Sequence, residues 1–286
     1  KEKDMVEDIL LKWQNLLNVS GGDLSINKCA VGFAQYRFVK TLRRDYAVLK
    51  GIDENATQIK LQPNNQVLTK EVLKRLGPHE GEKYLGVRNA LSGSNNDEFK
   101  ARKEQIADMA GRVATSTISR QQAYMIHAIQ YKPAIVYPLQ HTTFTDKQCK
   151  TIQTPMVNAL LPKMGYNRHM PRAVVFGPRK YGGIDMITLE TEQLASHLES
   201  LVKDLRTDTL QSEERSIVLA AYQRYIGCGR HFLELDPKNW PYKPLHSKTT
   251  YIWNTIWKHS ISIRSSYFWT PRSPYTNDEA IMDGIV

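Results

Sequence analysis

The chain has 286 residues, a formal net charge of +10 and 41% hydrophobic residues, enough to build a core in one large or two ordinary domains. No apolar run approaches the ~20 residues that a spanning helix needs, and the opening Lys1, Glu2, Lys3 and Asp4 lack the apolar stretch of a signal peptide. Three scattered cysteines, Cys29, Cys149 and Cys228, exclude a disulfide framework and fit an intracellular compartment, nuclear or cytoplasmic, while the basic balance favours a polyanionic partner.

The first predicted element is an amphipathic helix, with Met5, Val6, Ile9, Leu10, Trp13, Leu16 and Leu17 at helical spacing opposite Glu7, Asp8, Lys12 and Gln14. Gly21 and Gly22 end it, because glycine takes a positive φ at little steric cost. Cys29, Val31 and Phe33 then alternate as a half-buried strand. Residues 36–50 interleave Arg37, Lys40, Arg43, Arg44 and Lys50 with Tyr36, Phe38, Leu42 and Tyr46. That pattern suits phosphate and base contacts, and a helix with a charged outer face explains it nearly as well. Residues 58–61 and Tyr84–Val87 read as short strands, separated by turn signals at Asn64, Asn65, Gly77 and Pro78.

From the Ser92–Asn96 loop onward the pattern is helical. One helix carries Phe99, Ile106, Met109 and Val113; a second starts at Ser119 with Gln122 three residues on, and a third at Thr145 with Gln148, both capping-box arrangements. Lys100, Arg102, Lys103, Arg112 and Arg120 are their exposed cations, a duplex-tracking set or simply solvated charge. Between Pro162 and Gly183 lie Lys163, Arg168, Arg172, Arg179 and Lys180, with Tyr166 and Tyr181 and no acidic residue. A cationic loop of that length repels itself unless it is solvated or faces an anion, which makes it the leading nucleic-acid contact candidate. Leu194, Leu198, Leu201, Val202 and Leu205 line a further helix, and Ile217, Leu219, Ala221, Tyr222 and Tyr225 another. Near the end, Trp240, Trp253, Trp257 and Trp269 accompany one more helix around Tyr251, Ile252 and Ile256, a stripe that reads as core packing before it reads as a partner surface.

Other chemistry finds little footing. Cys228 and His231 form a single pair of possible zinc ligands with no second close pair, and the chain has no phosphate-loop, dinucleotide, nucleophile-elbow or His-Glu-x-x-His pattern.

Three elements occur in an informative order: Ser20, Gly21, Gly22, Leu24, Lys28 and Cys29; then Tyr84, Leu85, Gly86 and Val87; then Pro171–Pro178 followed by Gly182 and Gly183. Together they resemble LINE-type, non-long-terminal-repeat retroelement reverse transcriptases, from the first helix to about Gly227. Ser25 stands where that family often has Asn, and the chain contains no Asp-Asp pair; Tyr275, Thr276, Asn277 and Asp278 lie at the wrong end and lack the first aspartate.

The resemblance implies an α+β, mainly α fold: a palm-domain remnant with a few antiparallel strands at 1–91, a helical thumb at 92–161, a basic loop and helical extension at 162–236, and a Trp-rich segment at 237–286. It implies a reverse transcriptase (RNA-directed DNA polymerase) portion without its catalytic carboxylates, inactive alone, that grips an RNA template and DNA primer. The parent would supply the remaining palm and fingers and use Mg2+; no cofactor is assigned to these residues and no membrane partner is expected. Leu85 and Gly86 would support the primer backbone by shape and main-chain contact. Lys28 would be an auxiliary triphosphate contact in the parent, and a solvated lysine where no metal organises a triphosphate. The first helix would pack on upstream palm strands, leaving its apolar face open. The alternatives are a noncatalytic nucleic-acid-binding helical protein of the same origin and an α-helical protein-interaction module.

Overall fold

The computed structural model describes residues 2–22, 29–40, 45–50, 59–61, 71–207, 209–227, 230–240 and 247–260. Lys28, Arg43, Arg44, Cys228, Trp269 and the 275–278 stretch lie outside them. The chain divides into two compact units, Lys1–Glu98 and Phe99–Val286.

In the first unit, helix α1 spans Glu2–Val19. It stops as its glycines dictate: Gly21 sits at φ +81° and Gly22 N–H donates to Leu17 O at 2.8 Å. Val6 and Leu10 pack with Cys29, Val31 and Phe33 around buried Ile59 and Leu73, so the 29/31/33 alternation does face a core. The apolar arc of α1 is wider than this small core covers. Met5, Ile9, Trp13 and Leu16, expected on the same face, are exposed, while Gln14 is buried.

The strands form separate pairs. β1 (Ala30–Gly32) runs parallel to β6 (Lys74–Leu76); β2 (Gln35–Lys40) is antiparallel to β3 (Asp45–Lys50), as are β4 (Lys60–Leu61) to β5 (Glu71–Val72) and β7 (Glu82–Tyr84) to β8 (Val87–Asn89). The parallel pair departs from the antiparallel expectation, and the long excursion between its strands is what permits it. Two further corrections concern local structure. Residues 35–40 and 45–50 are paired antiparallel strands and no helix, as suits strand formers such as Tyr36 and Val39. Tyr84–Val87 is no single strand either: Leu85 at φ +47° and Gly86 at φ +88° make the two-residue turn between β7 and β8. The hairpin is fastened by Gly81 N–H donating to Asp97 Oδ2 (2.8 Å) and Arg88 N–H to the fully buried Glu98 Oε2 (2.7 Å).

Asp97 and Glu98 open helix α2, Asn96–Thr115, where the helix dipole favours acids. The second unit continues with α3 (Arg120–Met125), a π-helical turn over Ile126–Tyr131, α4 (Lys132–Leu139) and α5 (Asp146–Lys163). Both anticipated capping boxes form: Ser119 Oγ accepts from Gln122 N–H (3.3 Å) while Gln122 Oε1 accepts from Ser119 N–H (2.8 Å), and Thr145 and Gln148 repeat the exchange at 3.3 and 2.9 Å. Ile106, Tyr131, Ile135, Phe144, Ile152 and Met156 are among the buried residues that join these helices.

Within the basic segment expected to be a loop, residues 172–176 form a short helix, α6 (Arg172–Phe176), and Arg179–Tyr181 a 3-10 turn. Then come α7 (Leu189–Arg206), α8 (Leu210–Ile226) and α9 (Ser247–Lys258). Leu201, Leu219, Tyr222, Phe232, Trp253 and Ile256 form a second core, against which Leu198, Leu205 and Trp240 pack. On α8 the buried stripe is Leu219, Tyr222 and Ile226; Ile217 and Tyr225, expected inside, lie off that stripe and are exposed. Trp257 is also exposed, at 42%. α9 is tied to distant positions: Lys258 Nζ lies 2.5 Å from both Asp146 Oδ2 and Glu190 Oε1, and Lys248 Nζ donates to Gln140 O at 2.9 Å. No described helix is long and apolar enough to cross a membrane.

Candidate nucleic-acid interface

The capping box at Ser119 fixes where α3 begins, and a helix places residues four apart on one face, so Arg120 and Tyr124 project together. Tyr124 Oη donates to Tyr166 Oη at 3.1 Å, joining α3 to the segment after α5. The Arg179 guanidinium sits 5.6 Å from the centre of the Tyr124 ring, a cation–π arrangement. Arg120 lies against Gly165, whose φ of +84° and missing side chain make room: a Cβ there would stand 2.1 Å from the guanidinium. Burial raises the Tyr124 phenol pKa, with the Tyr166 hydrogen bond adding and Arg179 and Arg120 opposing, so this hydroxyl stays a neutral donor near pH 7.

The segment carrying Arg179 is held by its own backbone. Ile184 N–H donates to Val174 O, Asp185 N–H to Gly177 O and Met186 N–H to Val175 O, all within 2.9–3.0 Å. Gly177 and Gly183 cross so closely that a Cβ on Gly183 would stand 1.9 Å from Gly177 O. His127, in the π-turn, accepts from Ile187 N–H through Nε2 at 3.4 Å. Burial lowers its pKa, helped by Lys132 and Arg179 and opposed by Asp185, which keeps that nitrogen an acceptor.

Arg168, Arg172, Arg179 and Lys180 are all exposed. Among the described residues no carboxylate forms an ion pair with any of them, or with Arg120; Arg172 reaches only Asn158 Oδ1, at 3.5 Å, and Lys180 Nζ lies 4.7 Å from the Tyr181 ring centre. α2 is different. Arg112 pairs with Asp108 at 3.0 Å and Arg102 hydrogen-bonds Gln105 at 2.6 Å.

The structure thus brings together Arg120, Tyr124, Tyr166 and Arg179. Tyr124 is the member that sequence reasoning did not select, although its position four residues after Arg120 on a capped helix was a usable signal. Arg168, Arg172 and Lys180 lie on the same acid-free segment. The remaining candidates belong to the first unit: Arg37 and Lys40 are exposed on β2, separated by the strand alternation onto opposite faces, and Leu85 and Gly86 form the β7–β8 turn.

A second feature had no local signal. Gln140, His141, Ser196, Lys203, Arg215 and Lys248 help line a polar cleft of about 360 Å³ in the second unit. One of its cations is matched internally: Arg215 Nε lies 3.1 Å from Asp204 Oδ2, which also accepts from Ser200 Oγ at 3.3 Å.

Among the described residues no group of three or more His, Cys, Asp or Glu is arranged to hold a metal ion. No family model, curated protein or solved structure matches the chain.

Proposed function

We propose that this chain is a nucleic-acid-binding part of a LINE-type reverse transcriptase, gripping the sugar–phosphate backbone of a template–primer duplex. The observation that carries the reading is a set of exposed cations without ion-pair partners among the described residues, built around paired tyrosines. Unpaired arginine on a solvated surface gives up little hydration when it meets phosphate, and each phosphate neutralised releases counterions from the duplex. The tyrosines fix Arg179 and add stacking surface for sugars and bases. Backbone contact of this kind positions a duplex without reading its sequence. Mg2+ is expected for the parent polymerase, and no residue of this chain is assigned to it.

Replacing Arg168, Arg172, Arg179 and Lys180 together with Ala is expected to weaken duplex binding and to reduce the slope of log affinity against log salt by up to ~4, if each meets a phosphate. Replacing Lys100, Arg102 and Lys103 should change the slope less, since Asp97, Glu98 and Glu104 lie beside them in sequence. Fluorescence anisotropy with a labelled RNA–DNA duplex over a salt series measures both. A four-residue variant that keeps its circular dichroism spectrum and its salt slope would leave these cations as ordinary solvated charge.

A further inference from the structure

Tyr181 is 78% exposed at the tip of the loop between Gly177 and Gly183. A single exposed aromatic needs no explanation; the way this one is presented is unusual. The 3-10 turn that carries it is closed by Tyr181 N–H and Gly183 N–H both donating to Pro178 O, at 3.0 and 3.1 Å. Gly182 at φ +83° then returns the chain to the Gly177 crossing. On one side the ring is met by Lys180 Nζ at 4.7 Å, and the preceding residue, Arg179, is held over Tyr124. The loop therefore offers an aromatic ring with one cation beside it, on a backbone that pays little further ordering entropy on binding.

Bases inside a duplex stack on one another and present no free face; an unpaired nucleotide does. A cation next to an aromatic ring can hold that nucleotide's phosphate while the ring takes its base. Resting on the backbone-gripping role above, we propose that Tyr181 is a stacking platform for an unpaired base next to the bound duplex, with Lys180 meeting its phosphate. The loop thereby favours a duplex carrying a single-stranded overhang over a blunt one.

The test compares affinities of the full chain for one RNA–DNA duplex made blunt and made with a short overhang. Wild type is expected to prefer the overhang by about fivefold or more, the range that one base–aromatic stack supplies. Tyr181→Ala should abolish that preference while leaving blunt-duplex affinity and its salt slope unchanged, and Tyr181→Phe, which keeps the ring, should retain the preference. If Tyr181→Ala still prefers the overhang, or wild type binds both duplexes equally with a full salt slope, the stacking role is wrong and backbone gripping stands. If wild type binds neither duplex, backbone gripping itself is overturned and the stacking role with it.

Discussion

Acidification from neutral to about pH 4.5 is expected to lower the unfolding free energy of the helical unit by roughly 5 kcal/mol through two buried histidines. His197, on α7, is 2% exposed; burial pushes its imidazole pKa down to about 3, with Lys248 reinforcing, the Thr142 backbone opposing, and Arg215 and His141 adding. Its ring meets Tyr251 edge-on at 5.5 Å, and neither nitrogen makes a hydrogen bond of ordinary geometry. His231 is 8% exposed and is pushed down to about 4 by burial, with Glu234 opposing. Both folded values lie below the ordinary histidine value of about 6.5, so on acidification the unfolded chain takes up protons first. Their contribution to stability is complete above about pH 6.5 and is lost as the pH falls toward 4 and then 3, by about 1.4 kcal/mol per histidine per pH unit. Urea unfolding across this range, for wild type and His197→Leu, separates the effect from carboxylates that titrate lower. The variant should lose about half of the dependence, with little change at neutral pH because no strong hydrogen bond is removed. Identical pH profiles would show that His197 is protonated in the folded chain without penalty.

Trp253→Ala is expected to destabilise the same unit by about 3–5 kcal/mol, the usual effect of emptying a large aromatic site. Trp253 is fully buried and holds together segments remote in sequence: its ring lies 5.5 Å from Phe232, 6.1 Å from Trp240 and 6.4 Å from Tyr222, and its Nε1–H donates to Leu235 O at 2.8 Å. Trp253→Phe keeps much of the apolar volume but leaves that carbonyl without its donor, so an intermediate loss is expected. Trp257→Ala, on the exposed side of α9, is the control and should change little. Equal midpoints for Trp253→Ala and Trp257→Ala in urea would refute this account of the second core.

What could be read from the residues was mostly local. The Ser119 and Thr145 capping boxes, the Gly21 stop and the 29/31/33 alternation each depend on a few neighbouring residues, and each is present. The β7–β8 turn escaped because Leu85 takes a positive φ that leucine seldom adopts, so the apolar string around it looked like one continuous strand. On α8, apolar content was mistaken for position: Ile217 and Tyr225 lie off the stripe that Leu219, Tyr222 and Ile226 bury. At the candidate interface, the acid-free run was visible at once. The contacts of Arg179 with Tyr124 and of Tyr166 with Tyr124 join residues more than forty positions apart, and no periodicity encodes such pairing. His197 and Lys248 went unnoticed for the same reason, since what distinguishes them is the burial of the first and the half-burial of the second.

The π-turn at Ile126–Tyr131 lies within one long helical run, between α3 and α4. Ahead of it, α3 aims Arg120 and Tyr124 at Tyr166, Gly165 and Arg179; Tyr131 at its end and Ile135 and Leu139 behind it are fully buried. An α-helix advances about 100° per residue, and a π-turn accommodates one extra. Deleting a single residue from 126–130 would therefore let the wide turn close into an unbroken α-helix with the Arg120–Tyr124 face still in phase with the core. Every cation and tyrosine would survive that deletion, and Tyr124 would keep its aim at Tyr166 and Arg179. The extra residue is slack that lets this helical run change its length by one without disassembling the interface.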